Sequence, residues 1–499
     1  MELFSWEGLL ALVVGAFYGA VFGSIPGLTA TLAVALFIPI AFFLDPVIAL
    51  PAIIAISAVA IYAGDVGSAV VRIPGTPASA AYVQEMFRLS RQRGPLYALG
   101  ISAMGSAVGG IIGTTFLIFG ASGLAEIAKN FSSFEYFWIA VLGLTAGVFS
   151  SGGSPLKAFI SLLLGLLFAT VGIDPTLGHP RFHFDNPNLL GGLNFIVAMI
   201  GLFGFSEVLE HLFKRDKIKL GIVSQAPTTA KQFFLWPLVL MGRSRWLVLR
   251  SSILGTLVGF LPGAGADIAA WVSSSFQKMT GSGKQDPQKD DKVVLAGTTS
   301  NNAAVAGAWI PALSLGLPGD TVTAIVLSVF IMKGITPGPL LFQTQLDLVW
   351  ALYLAFIVVN LLLVPGFGFL TARLAAIIIK VPANLLLGVI TALCVVGAYA
   401  INNNPFDVWI MVAMGVIGFL LKRGGFPLAQ VVLGMVLGPL MEQSFMVSAI
   451  KSRWDYLAFF NRPIAIGLMI ATLLIIAIGL RIQLRNRQHS AQKPLSDDD

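Results

Sequence analysis

Asp65, Arg72, Asp267 and Asp320 stand in or at the edge of apolar stretches, each within ten residues of a Pro-Gly pair. An ionisable group inside an apolar segment is costly and faces a cavity or a partner. Asp65 and Arg72 are seven residues apart, two helical turns, and share a face if the segment between them is helical. Two readings follow. The planar guanidinium of Arg72 receives a carboxylate ligand, or Arg72 and Asp65 neutralise each other. Asp267 and Asp320 each follow a Pro-Gly break, where unwound carbonyls complete an oxygen-rich cation site or a carboxylate carries a proton. The alternative for both is an N-cap, for which aspartate is favoured. Ser24, Thr29, Thr76, Ser79, Asn301 and Asn302 offer neutral donors beside the breaks and suit an anionic ligand without burying permanent charge. Small-residue helix packing uses the same side chains. With Arg72 and the break residues Pro26, Gly27, Pro74, Gly75, Pro318 and Gly319, these donors form the candidate ligand site. Asp65, Asp267 and Asp320 are the candidate ion carriers.

The elements that position these residues are broken helices, and they occur twice. Gly19, Gly23, Pro26 and Gly27 reappear 236 positions later as Gly255, Gly259, Pro262 and Gly263. Ile73-Pro74-Gly75 returns as Leu317-Pro318-Gly319, and Gly94-Pro95 as Gly338-Pro339, both 244 positions later. An insertion in the second half accounts for the two offsets. Proline removes a helical donor and glycine permits conformations other residues avoid, so each pair breaks a helix. Broken backbone at membrane depth persists only where it is buried or lines a cavity. The chain therefore divides into a first repeat at 1–213, a linker at 214–246, a second repeat at 247–482 and a disordered tail at 483–499.

Only 11% of the residues are charged and 56% are hydrophobic, against about 25% charged in a soluble domain. Apolar runs near the ~20 residues needed for a helical span recur along the whole chain, some short or Gly/Pro-broken. The fold class is an all-α polytopic membrane protein. The net charge of +7 sits in clusters between the apolar runs, which argues against nucleic acid as a partner and makes 214–250 and the tail the cytoplasmic candidates. Met1-Glu2-Leu3-Phe4 lacks the basic start of a signal peptide, so no cleavage is expected. Cys394 is the single cysteine, which excludes an intramolecular disulfide. His179, Arg181 and His183 read as a solvated loop rather than a metal pair. Pro262-Gly263-Ala264-Gly265 lacks the setting of a dinucleotide loop, and neither a P-loop nor a nucleophile–base motif is present. No enzyme activity and no cofactor is expected.

At these motifs the sequence resembles the large membrane subunit of the tripartite tricarboxylate transporters, the TctA family. The resemblance rests on Gly23–Thr29, Ile73–Ser79, Ser151–Ser154 with Lys157, Val171–Pro175 and Pro180–Phe182. In the second half it rests on Leu261–Gly265, Asn301–Ala303, Leu315–Gly319, Phe406–Val408, Leu437–Glu442 and Arg462-Pro463. The resemblance implies an ion-driven secondary transporter of the bacterial inner membrane that imports a small carboxylate, such as a tricarboxylate. Its implied partners are a small membrane subunit and a periplasmic solute-binding protein, and its coupling ion is sodium or a proton. It also implies an elevator-type carrier, for which inverted repeats are the expected arrangement. A stand-alone symporter or a channel without a binding protein is the alternative. Asp65, Asp267 and Asp320 depart from the small residues usual in the family. Arg72 replaces a frequent Asn, Thr298 a common Glu, and Gln84–Phe87 an acidic-Gly-Tyr-Pro pattern.

Overall fold

The computed structural model describes residues 5–25, 28–149, 154–174, 176–213, 229–263, 265–280, 288–378 and 383–491. Pro26 and Gly27 of the first break lie outside the described residues, as do 214–228 of the expected linker and the end of the tail. Among the described residues the chain is helical apart from one short antiparallel pairing, Gly172–Ile173 with Pro180–Arg181. Among the described residues eight helices are long and apolar enough to cross a membrane: Trp6–Ser24, Pro46–Val71, Pro95–Ala128, Phe195–Phe213, Leu346–Ala375, Pro405–Arg423, Leu428–Lys451 and Pro463–Arg481. Five shorter apolar helices accompany them. The chain is an all-α polytopic membrane protein.

The helices that matter for the site are α1 (Trp6–Ser24), α2 (Ala30–Phe43), α3 (Pro46–Ala63), its continuation α4 (Asp65–Val71) and the long α5 (Pro95–Ala128). From the second half come α6 (Arg245–Phe260), α7 (Gly265–Thr280), α8 (Lys289–Leu315) and α9 (Thr321–Met332). Lipid gives little hydrophobic drive for helices to associate, so close backbone approach through small residues replaces it. α1 lies along α3 in this way. A Cβ on Gly19 would come within 2.4 Å of the Ile56 carbonyl oxygen, and one on Gly23 within 2.2 Å of that of Ala60. α6 lies along α8 with the equivalent pairs, Gly255 at 2.2 Å from the Ser300 oxygen and Gly259 at 2.1 Å from that of Ala304. The glycines are 236 positions apart and their partners 244, the same offsets as the duplicated motifs. In both pairs the contacts advance together along the chain, so the two helices of each pair run in the same direction.

α8 also carries a buried polar strip, Thr298–Asn302. Asn302 Nδ2 donates to the Ser106 carbonyl (3.1 Å) and to Asn360 Oδ1 (2.9 Å), which ties α8 to α5 and to the helix following Leu346. The polar strip thus faces the inside of the protein rather than lipid.

The ends of α8 define two ends of the bundle, about 40 Å apart for 27 residues. At its start, Arg88 and Arg93 pair with Asp290 and Asp291 (2.9 Å each), and Lys278 at the end of α7 pairs with Glu85 (3.2 Å). At its finish, Leu315 and Gly316 share a cavity with Lys129, Ile331 and Gln343. Lys333, just past α9, donates there to the Phe42 carbonyl at the end of α2 (2.5 Å). So α2 and α9 finish at one end of the bundle and α7 at the other.

The stretch expected as a linker contains structure. Ala230–Arg243 is a helix opened by a capping box between Thr229 and Gln232. It seats Phe233 against α5, where a Cβ on Gly100 would come within 2.5 Å of the Phe233 carbonyl oxygen. Phe233, Pro237, Leu240 and Met241 give this helix a buried face, flanked by basic residues.

Candidate functional site

Each Pro-Gly break after a long helix begins with a chain reversal. α4 ends at Arg72, in the left-handed region (φ 59°, ψ 28°), and α8 ends at Gly316, likewise left-handed (φ 70°, ψ 24°). Arg72 and Gly316 are 244 positions apart. Both reversals are closed by the same bond to a carbonyl six residues back, Ile73 N–H to Gly67 (3.3 Å) and Leu317 N–H to Pro311 (3.2 Å), around a left-handed cap. The chain then folds back along the helix it has just left. Gly75 N–H donates to the Gly64 carbonyl (3.0 Å), and a Cβ on Gly319 would come within 2.6 Å of Ala308 Cα.

The next residues form a reciprocal cap in each half. Thr76 N–H donates to Ser79 Oγ (3.1 Å), Ser79 N–H to Thr76 Oγ1 (3.2 Å), and the Ser79 hydroxyl to the Thr76 carbonyl (2.9 Å). Asp320 N–H donates to Thr323 Oγ1 (2.9 Å), Thr323 N–H to Asp320 Oδ1 (2.7 Å), and the Thr323 hydroxyl to the Asp320 carbonyl (3.0 Å). All three bonds correspond. Asp320 is therefore the N-cap of α9, the alternative reading of that residue.

The breaks meet at a cavity of about 130 Å³. Thr29, Thr31, Thr76 and Pro77 line it from the first half, and Gly263, Gly265, Asp267, Asp320 and Thr321 from the second. Gln430 and Leu433 on α10 (Leu428–Lys451) close one side. The halves touch each other across it. The Thr31 and Thr321 hydroxyl oxygens are 3.0 Å apart, and Asp267 Oδ1 accepts the Ala78 N–H at 3.0 Å. α7 continues this clasp, with Trp271 Nε1 donating to the Pro77 carbonyl (3.0 Å) and Lys278 Nζ to that of Ala81 (2.9 Å). Asp267 is deep in the bundle yet exposed, because it faces the cavity.

Four of the expected site residues thus line one space: Thr29, Thr76, Asp267 and Asp320. Ser79 and the Gly75 and Gly319 backbones hold the breaks in shape from behind, with the Gly319 carbonyl accepting the Gly263 N–H (2.8 Å). Pro318 is buried beside them. Ser24 is buried and donates to the Ala20 carbonyl (2.6 Å) within its own helix. Asn301 and Asn302 belong to the buried strip of α8. Arg72 and Pro74 are exposed and lie outside the cavity lining. Among the described residues no ion pair joins Asp65 to Arg72, because α4 ends before Arg72 and the left-handed turn takes it off the helix. Asp65 is buried away from the cavity, where it accepts hydrogen bonds from the hydroxyls of Tyr82 (3.0 Å) and Ser102 (2.5 Å).

Thr31, Thr321 and Gln430 were not among the expected residues. Thr31 sits 236 positions before Asp267, so the duplication itself pointed to it. Thr321 adjoins Asp320, and Gln430 is a lone amide in an apolar stretch.

The sequence profile of the Tripartite tricarboxylate transporter TctA family matches residues 9–433. An uncharacterized 52.8 kDa protein in the TAR-I ttuC′ 3′ region of Agrobacterium vitis is 34% identical over 484 residues, 95% of this chain and 93% of that protein. An uncharacterized protein in the TAR-II ttuC′ 3′ region of the same organism is 35% identical over 241 residues, 47% of this chain and 97% of that protein. No solved structure gives a significant match. With duplicated helix breaks converging on one cavity and a profile that spans most of its length, the chain belongs to the tripartite tricarboxylate transporter TctA family.

Proposed function

We propose that this chain is the large translocation subunit of a tripartite secondary transporter in the bacterial inner membrane. It imports a small carboxylate, a tricarboxylate or related organic acid, delivered by a periplasmic solute-binding protein. A small membrane subunit accompanies it, and a sodium or proton gradient drives it. The observation that carries this reading is the cavity on which the breaks of both halves converge. Thr29, Thr31, Thr76 and Thr321 supply neutral hydroxyls, and the amino-terminal ends of α2 and α9, which favour negative charge, begin at its wall.

The two halves act as inverted repeats about this cavity. Support comes from the matched offsets of their packing pairs, reversals and caps, together with the opposite ends at which α2 and α7 finish. Arg88, Arg91, Arg93, Lys278, Lys289 and Lys292 gather at the start of α8, which makes that end cytoplasmic by the bias of short basic loops. The α1–α2 hairpin then enters from the periplasm and the α6–α7 hairpin from the cytoplasm. Their glycine-mediated contacts with α3 and α8 favour movement of the break-bearing helices as one rigid unit, as an elevator carrier requires. Co-reconstitution of this chain with its small subunit and binding protein tests the reading. Uptake of a radiolabelled organic acid under an imposed sodium or pH gradient is expected only with all three components. Equal uptake by this chain alone would instead make it a stand-alone symporter.

A further inference from the structure

The walls of the cavity carry a charge imbalance that the fold does not require. Asp267 and Asp320 both line it, and among the described residues no lysine, arginine or histidine does. The first half makes the same structure with neutral groups. Thr76 forms with Ser79 three of the four bonds that Asp320 forms with Thr323. Thr31, the counterpart of Asp267, makes its own bridge between the halves through a hydroxyl. Capping and clasping therefore do not by themselves require a charge at either position. Asp267 Oδ1 is used by the Ala78 N–H and Asp320 Oδ1 by Thr323. Among the described residues Asp267 Oδ2 makes no hydrogen bond, while the Asp320 carboxylate also takes the Thr323 hydroxyl on Oδ1 (2.8 Å) and the Val322 N–H.

A third acceptor adds an independent sign of a ligand. Gln430 lines the same cavity and is 2% exposed. Its Nε2 donates to the Gly147 carbonyl at 2.8 Å, which fixes the orientation of the amide. Its Oε1 is buried with no hydrogen-bond partner, and a buried acceptor left unpaired is costly. Two carboxylates and an orphaned amide oxygen are a donor set for a cation. A bare polyanion in the same space would meet two like charges.

We infer that the cavity holds a monovalent cationic group between Asp267, Asp320 and Gln430, and that this group neutralises the site for the carboxylate. The inference rests on the cavity being the translocation site. Its source is either an inorganic cation that accompanies the acid or an ammonium group on the transported acid itself.

The test uses the purified full chain in detergent at pH 7.5 and constant ionic strength. Melting temperature is followed against sodium chloride and methylammonium chloride, with N-methylglucamine chloride as the cation too large for the cavity. The wild type is expected to show a saturable upward shift with sodium, methylammonium or both. Asp267→Asn and Asp320→Asn are expected to need at least ~10-fold more cation for half the shift, whereas Asp347→Asn, remote from the cavity, is unchanged. Gln430→Met, which removes the amide oxygen at similar size, is expected to raise the half-saturating concentration, and the wild-type titration keeps the inference falsifiable should a variant fail to fold. A sodium response alone identifies an accompanying ion, and a methylammonium response alone identifies an amine-bearing acid. No saturable response beyond that of glucamine, or equal responses in all the cavity variants and the wild type, overturns the inference. If the reconstituted three-component system still takes up organic acid while no cation response exists, this inference fails and the functional reading stands. Cation binding without three-component uptake keeps the cation site and removes the functional reading.

Discussion

Thr31 and Thr321, 290 residues apart, place their hydroxyl oxygens 3.0 Å from each other where the starts of α2 and α9 meet. The counterpart of Thr31 is Asp267 and that of Thr321 is Pro77, and Asp267 accepts the N–H of Ala78, the next residue, at 3.0 Å. A contact from one half to the other is thus repeated with the roles of the halves exchanged. Both contacts border the same cavity.

This contact is short enough to cross-link. In a Cys394→Ala background, Thr31→Cys with Thr321→Cys is expected to form a disulfide on mild oxidation, since side chains that meet at this distance suit its geometry. Uptake by the reconstituted system should fall at least ~10-fold when the bond forms and return on reduction, because the starts of both helices would be pinned across the site. Mobility of the chain on non-reducing gels after protease cleavage between the halves reports the bond directly.

The glycine pairs predict a second result. Gly23→Ala and Gly259→Ala put a Cβ within 2.2 Å and 2.1 Å of a backbone oxygen, so α1 and α6 must move off α3 and α8. Overpacking of this kind costs about 1–3 kcal/mol. Both variants should melt lower than the wild type by similar amounts. Gly123→Ala in α5 meets nothing within 4 Å and should melt at or slightly above the wild-type temperature, as helix propensity favours alanine by about 1 kcal/mol.

Loss of either reciprocal cap should cost about 1 kcal/mol. Ser79→Ala removes two hydroxyl bonds to Thr76, and Thr323→Ala removes those to Asp320. Thr323→Ser keeps the hydroxyl and is expected to melt as the wild type does. Thermal melts of the three variants check the claim, and the conservative variant separates lost hydrogen bonding from lost packing.

The course of the helices was legible in the sequence, and the reason is physical. A span must be long and apolar, and a break must be Pro-Gly, so both leave local signatures. The matched motifs were legible for the same reason, and at Thr76 and Asp320 they form corresponding hydrogen bonds. The surroundings of individual polar residues were not. Arg72 reads as a helical partner of Asp65 because a left-handed cap at a non-glycine residue leaves no local mark. Asn302 reads as a ligand-binding amide because its partners, Ser106 and Asn360, are far away in the chain. Ala230–Arg243 reads as a linker because its buried face is short and its proline and flanking charges mask the period.

Sidedness gives a further prediction. Single cysteines at Arg91 and Lys289 are expected to react with a membrane-impermeant thiol reagent only from the cytoplasmic side, and those at Lys129 and Lys451 only from the periplasmic side. Labelling of intact cells against inside-out vesicles reads this out. Reaction of all four from one side would remove the inverted arrangement.

The central claim is that the convergent breaks form the path of the solute, and thiol modification at the cavity tests it most directly. In the Cys394→Ala background, reconstituted Thr321→Cys and Arg72→Cys are treated with a small thiol reagent, with and without the transported acid and its binding protein. Modification at position 321 is expected to abolish uptake, and the acid to protect against it. Modification at position 72, exposed and outside the cavity, is expected to leave uptake in place. Full modification at 321 with uptake undiminished and no protection by the acid would contradict the claim.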